Sequence, residues 1–209
     1  MTTRAIMKAE ILDDMDRSST ADGTRVLAAI SAAIKFYQPK RFYFNESRSV
    51  TFNTAADVST YLFSDIGTEM YRIDGAFLTD GDDVFEMDRR DYLELESLIT
   101  SDPSTNRPDT YAYIAQGVRT YPVPDDTYSV RLVGHVKVAE PTQDSDANTW
   151  FAEAYDLILS RAEAYLFARA FYQPERAAVM RQVETEAFNT LRAATFDRTD
   201  TGTVMPTQF

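Results

Sequence analysis

Apolar residues recur at helical spacing near both ends of the chain and at strand-like spacing between them. Residues 148 to 172, NTWFAEAYDLILSRAEAYLFARAFY, place Phe151, Tyr155, Ile158, Ala162, Tyr165 and Leu166 about three or four apart, which lines one face of a helix. Gln173 then leads into Pro174, and proline suits the first turn of a new helix because its missing N–H would lack a partner there anyway. The following run, to Arg198, carries Met180, Val183, Ala187, Leu191 and Ala194 on one stripe, with Arg176, Arg181, Glu184 and Arg192 largely outside it. This spacing predicts a helical hairpin that needs apolar partners. At the other end, Ile6, Ala9, Ile11 or Leu12, and Met15 mark a helix over residues 3 to 16, which RSSTADG interrupts. From Thr24, Leu27, Ile30, Ala33 or Ile34, and Tyr37 mark a second helix that Pro39 ends. Short amphipathic helices are marginal alone, so both are expected to dock on the hairpin.

Residues 41 to 137 change period. RFYFNES and RSVTFNT, rich in aromatic and β-branched residues, read as two arms of a hairpin. Residues 58 to 63, 69 to 78 and 83 to 87 read as further strands, with TDGDD at 79 to 83 as a turn. Helical spacing returns briefly in RRDYLELESLITS, through Tyr92, Leu93 or Leu95, and Leu98 or Ile99. After the loop SDPSTNRPD, three more strands are expected in YAYIA, VRTY and SVRLVGHVKVA. This order implies an α+β protein, an antiparallel helical bundle formed by the N- and C-terminal helices with an inserted β-rich module. The expected bounds are 1 to 40 with 148 to 198 for the bundle and 41 to 147 for the insertion, which holds one helix. Residues 199 to 209 show no periodicity and carry Val204, Met205, Pro206 and Phe209 on a polar background. They are expected to form an extended C-terminal assembly tail that orders only on a partner.

Composition narrows the function. Thirty-three acidic against twenty-one basic residues leave a net charge of −12, which argues against a sequence-independent grip on DNA or on anionic membranes. The absence of cysteine removes disulfides, thiolate nucleophiles and cysteine-type zinc sites. No window approaches the ~20 apolar residues that span a bilayer, and MTTRAIMKAE lacks the apolar core of a signal peptide, so a soluble, unprocessed chain is expected. No glycine-rich loop is present to cradle a phosphate. The single histidine, His135, falls in an expected strand without a nucleophile motif nearby and reads as structural. Asp80, Asp82, Asp83, Glu86 and Asp88 offer oxygen ligands, yet Gly81 comes too early for a calcium loop, so a solvated turn is expected. Aromatics interleaved with Arg41, Arg72 and Arg119 suit either stacking on single-stranded nucleic acid or packing in a sheet, and the acidic total favours packing. No metal, nucleotide or other cofactor is expected.

An ordered set of short motifs adds specificity. Ala29-Ile30 to Tyr37, Phe42-Tyr43-Phe44-Asn45-Glu46, Phe52-Asn53-Thr54, Arg107-Pro108-Asp109-Thr110-Tyr111-Ala112, Tyr121-Pro122-Val123-Pro124-Asp125 to Tyr128, and Asn148-Thr149-Trp150-Phe151 together resemble the head-to-tail adaptor (connector) proteins of tailed bacteriophages. The likeness spans about residues 25 to 195. One departure is Tyr61-Leu62-Phe63-Ser64-Asp65, where family members often carry a proline, so the turn after this strand is left open. The resemblance implies a non-enzymatic virion protein of the neck or tail region, present in the host cytoplasm during assembly. It implies a homo-oligomeric ring, usually a dodecamer, between the portal protein and a downstream tail or nozzle protein. DNA would pass through such a ring without specific binding and no membrane would be involved. Val204, Met205, Pro206 and Phe209 are the expected contacts to portal or neighbouring subunit. Two alternatives remain at this point: another ring-forming tail protein, such as a stopper or tail terminator, and a hydrolase using Asp83 and Glu86 as acid and base.

Overall fold

The computed structural model describes residues 2–199. In chain order the first elements are α1 (Arg4–Asp14), α2 (Thr20–Tyr37), β1 (Glu46–Asn53), β2 (Thr60–Leu62), α3 (Phe63–Ile66), β3 (Met70–Asp80), β4 (Asp83–Arg89) and α4 (Tyr92–Ser101). They are followed by β5 (Thr110–Ile114), β6 (Gly117–Tyr121), β7 (Ser129–Val136), α5 (Thr149–Glu153), α6 (Tyr155–Arg169) and α7 (Pro174–Thr199). The α+β class read from the sequence holds: N-terminal helices pack against C-terminal helices, and a curled seven-stranded sheet is inserted between them in sequence. Asn45–Lys137 makes one compact unit and the flanking segments make the other. Among the described residues, no helix is long and apolar enough to cross a membrane.

In the helical unit, α2 begins at Thr20, four residues before the expected Thr24, because Ser19 caps it. The Ser19 hydroxyl oxygen accepts from the Asp22 N–H at 3.1 Å while the hydroxyl donates to the Asp22 carboxylate at 2.7 Å, so the apparent polar break is a capping signal. Val26, Ala29, Ile30, Ala33, Ile34 and Tyr37 are then buried. α1 is held at its start by the segment after the insertion, the N–H groups of Arg4 and Ala5 donating to the carbonyls of Asp146 and Asp144. The run from 148 to 172 is not one helix: α5 stops at Ala154, whose φ of −126° and ψ of 29° leave the helical region, and α6 restarts at once. The expected hairpin arm RFYFNES is also corrected. Phe42 and Phe44 stack at 5.2 Å and both meet the Trp150 ring edge-on, so this aromatic run joins the helical core, and Tyr43–Asn45 form a 3₁₀ turn rather than a strand.

The sheet order is β1-β7-β3-β4-β5-β6-β2. Every neighbouring pair is antiparallel except β4 and β5, and their parallel pairing requires the crossover that α4 supplies. β1 therefore pairs with the distant β7, not with the residues just before it. Val50, Ile73, Leu78, Met87, Tyr111 and Leu132 are among the residues that form the core. Close backbone approach explains two glycines: a Cβ on Gly134 would lie 2.0 Å from the Arg72 carbonyl oxygen, and one on Gly117 would lie 2.6 Å from that of Tyr61. The strand expected over 58 to 63 is shorter, since the chain turns at Phe63 into α3 and leaves it through Gly67 at a φ of +79°. This is how the proline-free Tyr61 to Asp65 stretch resolves its turn. The motif residue Thr54 pins the end of β1, its hydroxyl donating to the Asp126 carbonyl at 2.9 Å and accepting from the Tyr128 N–H at 2.7 Å.

Candidate assembly surface

Helix α7 carries the most open surface of the helical unit. Its inward stripe runs Ala177, Met180, Glu184, Ala187 with Phe188, Leu191 and Thr195, and only Ala177 and Thr195 are fully buried. The expected stripe included Val183 and Ala194 and placed Glu184 outside. The structure turns Glu184 inward and leaves Val183 39 % exposed. Glu184 sits four residues after Met180 and four before Phe188, so helix geometry puts it on the packed face despite its charge. There its Oε1 accepts from the Tyr37 hydroxyl and from Arg161 Nη1, each at 2.5 Å, while the Arg161 guanidinium lies 3.3 Å over the Phe36 ring. Burial and then the hydrogen bond to Glu184 hold the Tyr37 hydroxyl well above its ordinary pKa, so it stays a donor. One carboxylate thus ties α2, α6 and α7 together. Thr195 does similar work near the end of α7, accepting from the Tyr43 N–H at 3.2 Å and donating to the Leu191 carbonyl at 2.8 Å.

The seam between α6 and α7 has two flanks of opposite charge. On one flank lie two adjoining grooves of about 550 and 310 Å³ that share Glu163 and Met180. Their carboxylates are Asp14, Asp156, Glu163, Glu175 and Glu186, against the single cation Arg176, over apolar floor residues such as Leu159 and Phe167. On the other flank lies a groove of about 350 Å³ with Arg161, Arg169 and Arg181 against Glu184 and with Phe36 and Tyr165 as its large apolar members. Glu163 is only 4 % exposed, and its Oε1 has no hydrogen-bond partner among the described residues. Burial pushes its carboxyl up to about 8, helped by the charge and hydrogen bonding of Asp14 and by the charge of Glu10. Sequence reasoning missed both Glu163 and Glu184. The available signal was position, since Glu163 lies four residues from Leu159 and from Phe167, on the line of an apolar face.

The residues singled out from sequence do not converge on a chemical site. His135 is buried within β7, opposite Glu46 on one side and Arg72 on the other, with its ring 6.1 Å from that of Tyr71. Asp80 and Asp83 face each other across the β3–β4 turn, where Gly81 supplies a φ of +60°. Asp83 and Glu86 are an odd number of positions apart on β4, so strand alternation sends them to opposite faces, which removes the geometric basis for an acid and base pair. Among the described residues, no group of three or more His, Cys, Asp or Glu is placed to hold a metal ion. Arg72 and Arg119 meet Asp74 and Glu96 of their own unit, each at 2.8 Å, and Arg41 lines a groove with Phe42, Phe188 and Phe196. Val204, Met205, Pro206 and Phe209 lie outside the described residues.

The family model described as SU10 adaptor protein matches residues 1–206. No curated protein matches the chain.

Proposed function

The chain belongs to the SU10 adaptor protein family, a family of phage head-to-tail adaptors whose role is structural rather than catalytic, and from that membership we propose that it forms a ring between portal and tail through which DNA passes. The match over nearly the whole chain carries this reading. The ring is dodecameric and sits in the neck of the virion, with the portal protein on one side and a tail or nozzle protein on the other. Two properties of the chain suit it to that place. Its net charge of −12 disfavours adhesion to the phosphate backbone, so a genome slides past rather than sticks. The α6–α7 hairpin exposes two unlike flanks, and closed rings are built from contacts between unlike surfaces.

Residues 199 to 209 act as the assembly tail in this reading, with Val204, Met205, Pro206 and Phe209 contacting the portal or a neighbouring subunit. The mass of the purified protein, measured alone and with the portal, tests the proposal. A monomer that becomes a ring on the portal is the expected result, and no association under either condition overturns it. Deletion of 201 to 209 is expected to leave folding intact and to weaken assembly; normal particles from the truncated protein would show the tail to be dispensable.

A further inference from the structure

We infer that neighbouring copies meet through the α6–α7 seam, the acidic flank of one copy receiving the basic flank of the next. The inference rests on the ring reading and deepens it by naming the surfaces. Charge complementarity selects a second copy as the occupant. The acidic flank spans Glu175 to Thr190 along α7, about 22 Å at the helical rise. It presents carboxylates over an apolar floor. The basic flank presents Arg169 and Arg181 beside Tyr165, which is 43 % exposed. Each chain carries both halves of the match.

The carboxylates of this flank that a partner can reach are the exposed Asp14, Asp156, Glu175 and Glu186. Glu163 is buried among them and hydrogen-bonds with Asp14, so it presents no open charge of its own. It lines both grooves of that flank. A guanidinium from the neighbouring copy fits the exposed Glu175 and Glu186, because its planar donors match a carboxylate and its flat face packs on apolar floor. Because the two flanks differ, the contact is head-to-tail, and each docked copy leaves one flank of either sign open for the next. An isologous pair of the same flanks would close as a dimer, which native mass separates from a ring.

The absence of native cysteine makes the test direct. Val179→Cys marks the acidic flank and Tyr165→Cys the basic one; both sites are exposed, so folding should be unaffected. The two full-length variants are oxidised separately and as a mixture, alone and with the portal protein, with native mass read in parallel. A disulfide-linked dimer in the mixture and in neither variant by itself is expected. Paired replacement of Arg169→Glu and Arg181→Glu in the Tyr165→Cys variant should abolish that dimer. Glu175→Arg with Glu186→Arg in the Val179→Cys variant should restore it, which a merely sticky surface would not do. Cross-linking of either variant with itself overturns the head-to-tail contact. A ring by mass with no cross-link overturns the choice of flanks and leaves the ring reading standing, whereas a monomer under every condition removes both.

Discussion

The basic residues of the two units are used differently. In the inserted sheet, Arg72, Arg119 and Lys137 each face a carboxylate of the same unit within 2.8 Å, and Arg107 lies 3.7 Å over the Phe85 ring. Charge there is matched locally and the unit closes on itself. In the helical unit, the α6–α7 hairpin sorts charge by side, with three arginines against Glu184 on one flank and five carboxylates against Arg176 on the other. Arg161 reaches across to an inward carboxylate, Glu184. Local matching is what a self-contained module needs, and segregation is what a surface awaiting a neighbour needs.

The comparison can be broken first at the core. Ile30→Asp places an unpaired charge where only 2 % of the residue is exposed, and a loss on the order of 4 kcal/mol is expected, seen as the disappearance of the cooperative helical transition by circular dichroism. Leu191→Asp should cost clearly less, since Leu191 is only half-buried; equal effects would contradict the packing described for α7. In the sheet unit, Gly134→Ala forces a Cβ against the Arg72 carbonyl and should cost about 3 kcal/mol in urea unfolding, because β3 and β7 would have to separate.

A smaller effect sharpens the helical side. With its carboxyl raised from the usual 4.5 to about 8, folded Glu163 holds its proton over a range in which the unfolded chain has released it. Stability therefore falls as pH rises through that window. The groups facing Glu163 are Glu10 and Asp14 from α1 and Glu175 and Arg176 from α7. Glu163→Gln should remove the slope and stabilise the protein at pH 9 by on the order of 2 kcal/mol, read as the difference in urea midpoint between pH 5 and pH 9. Smallest of all, Arg107→Ala should cost less than about 1 kcal/mol, since exposed ion pairs and ring contacts contribute little each.

Periodicity made the class, the helical ends and most strands legible, because burying one face demands a regular pattern. It failed where the face is polar. The α7 stripe uses Glu184 and Thr195, which count as surface residues in any apolar template yet lie in register with Met180 and Leu191. The break at Ala154 was invisible for the opposite reason: alanine is the strongest helix former, and no glycine or proline marks the site. Phe42 to Phe44 looked like a strand because aromatics favour sheets, but the Trp150 ring in the helical core offered a better contact. The pairing of β1 with β7 could not be read locally, since their sequence separation leaves no short-range signal. As for the candidate assembly surface, the acidic total was plain from composition, whereas its separation into two flanks appears only once α6 and α7 lie side by side.

The carbonyls of Asp144 and Asp146 that hold the start of α1 have a consequence for synthesis. Both lie beyond the insertion, as does the hairpin against which α2 packs. Helices α1 and α2 are made before these partners and must therefore wait for roughly a hundred further residues, which at 5–20 residues per second is about 5 to 20 s. Only at the end of that interval does the sheet gain β7, its last strand, and two amphipathic segments remain uncovered throughout. The nascent chain is thus most open to chaperones and to misassociation along α1 and α2, until α6 and α7 arrive to complete their core.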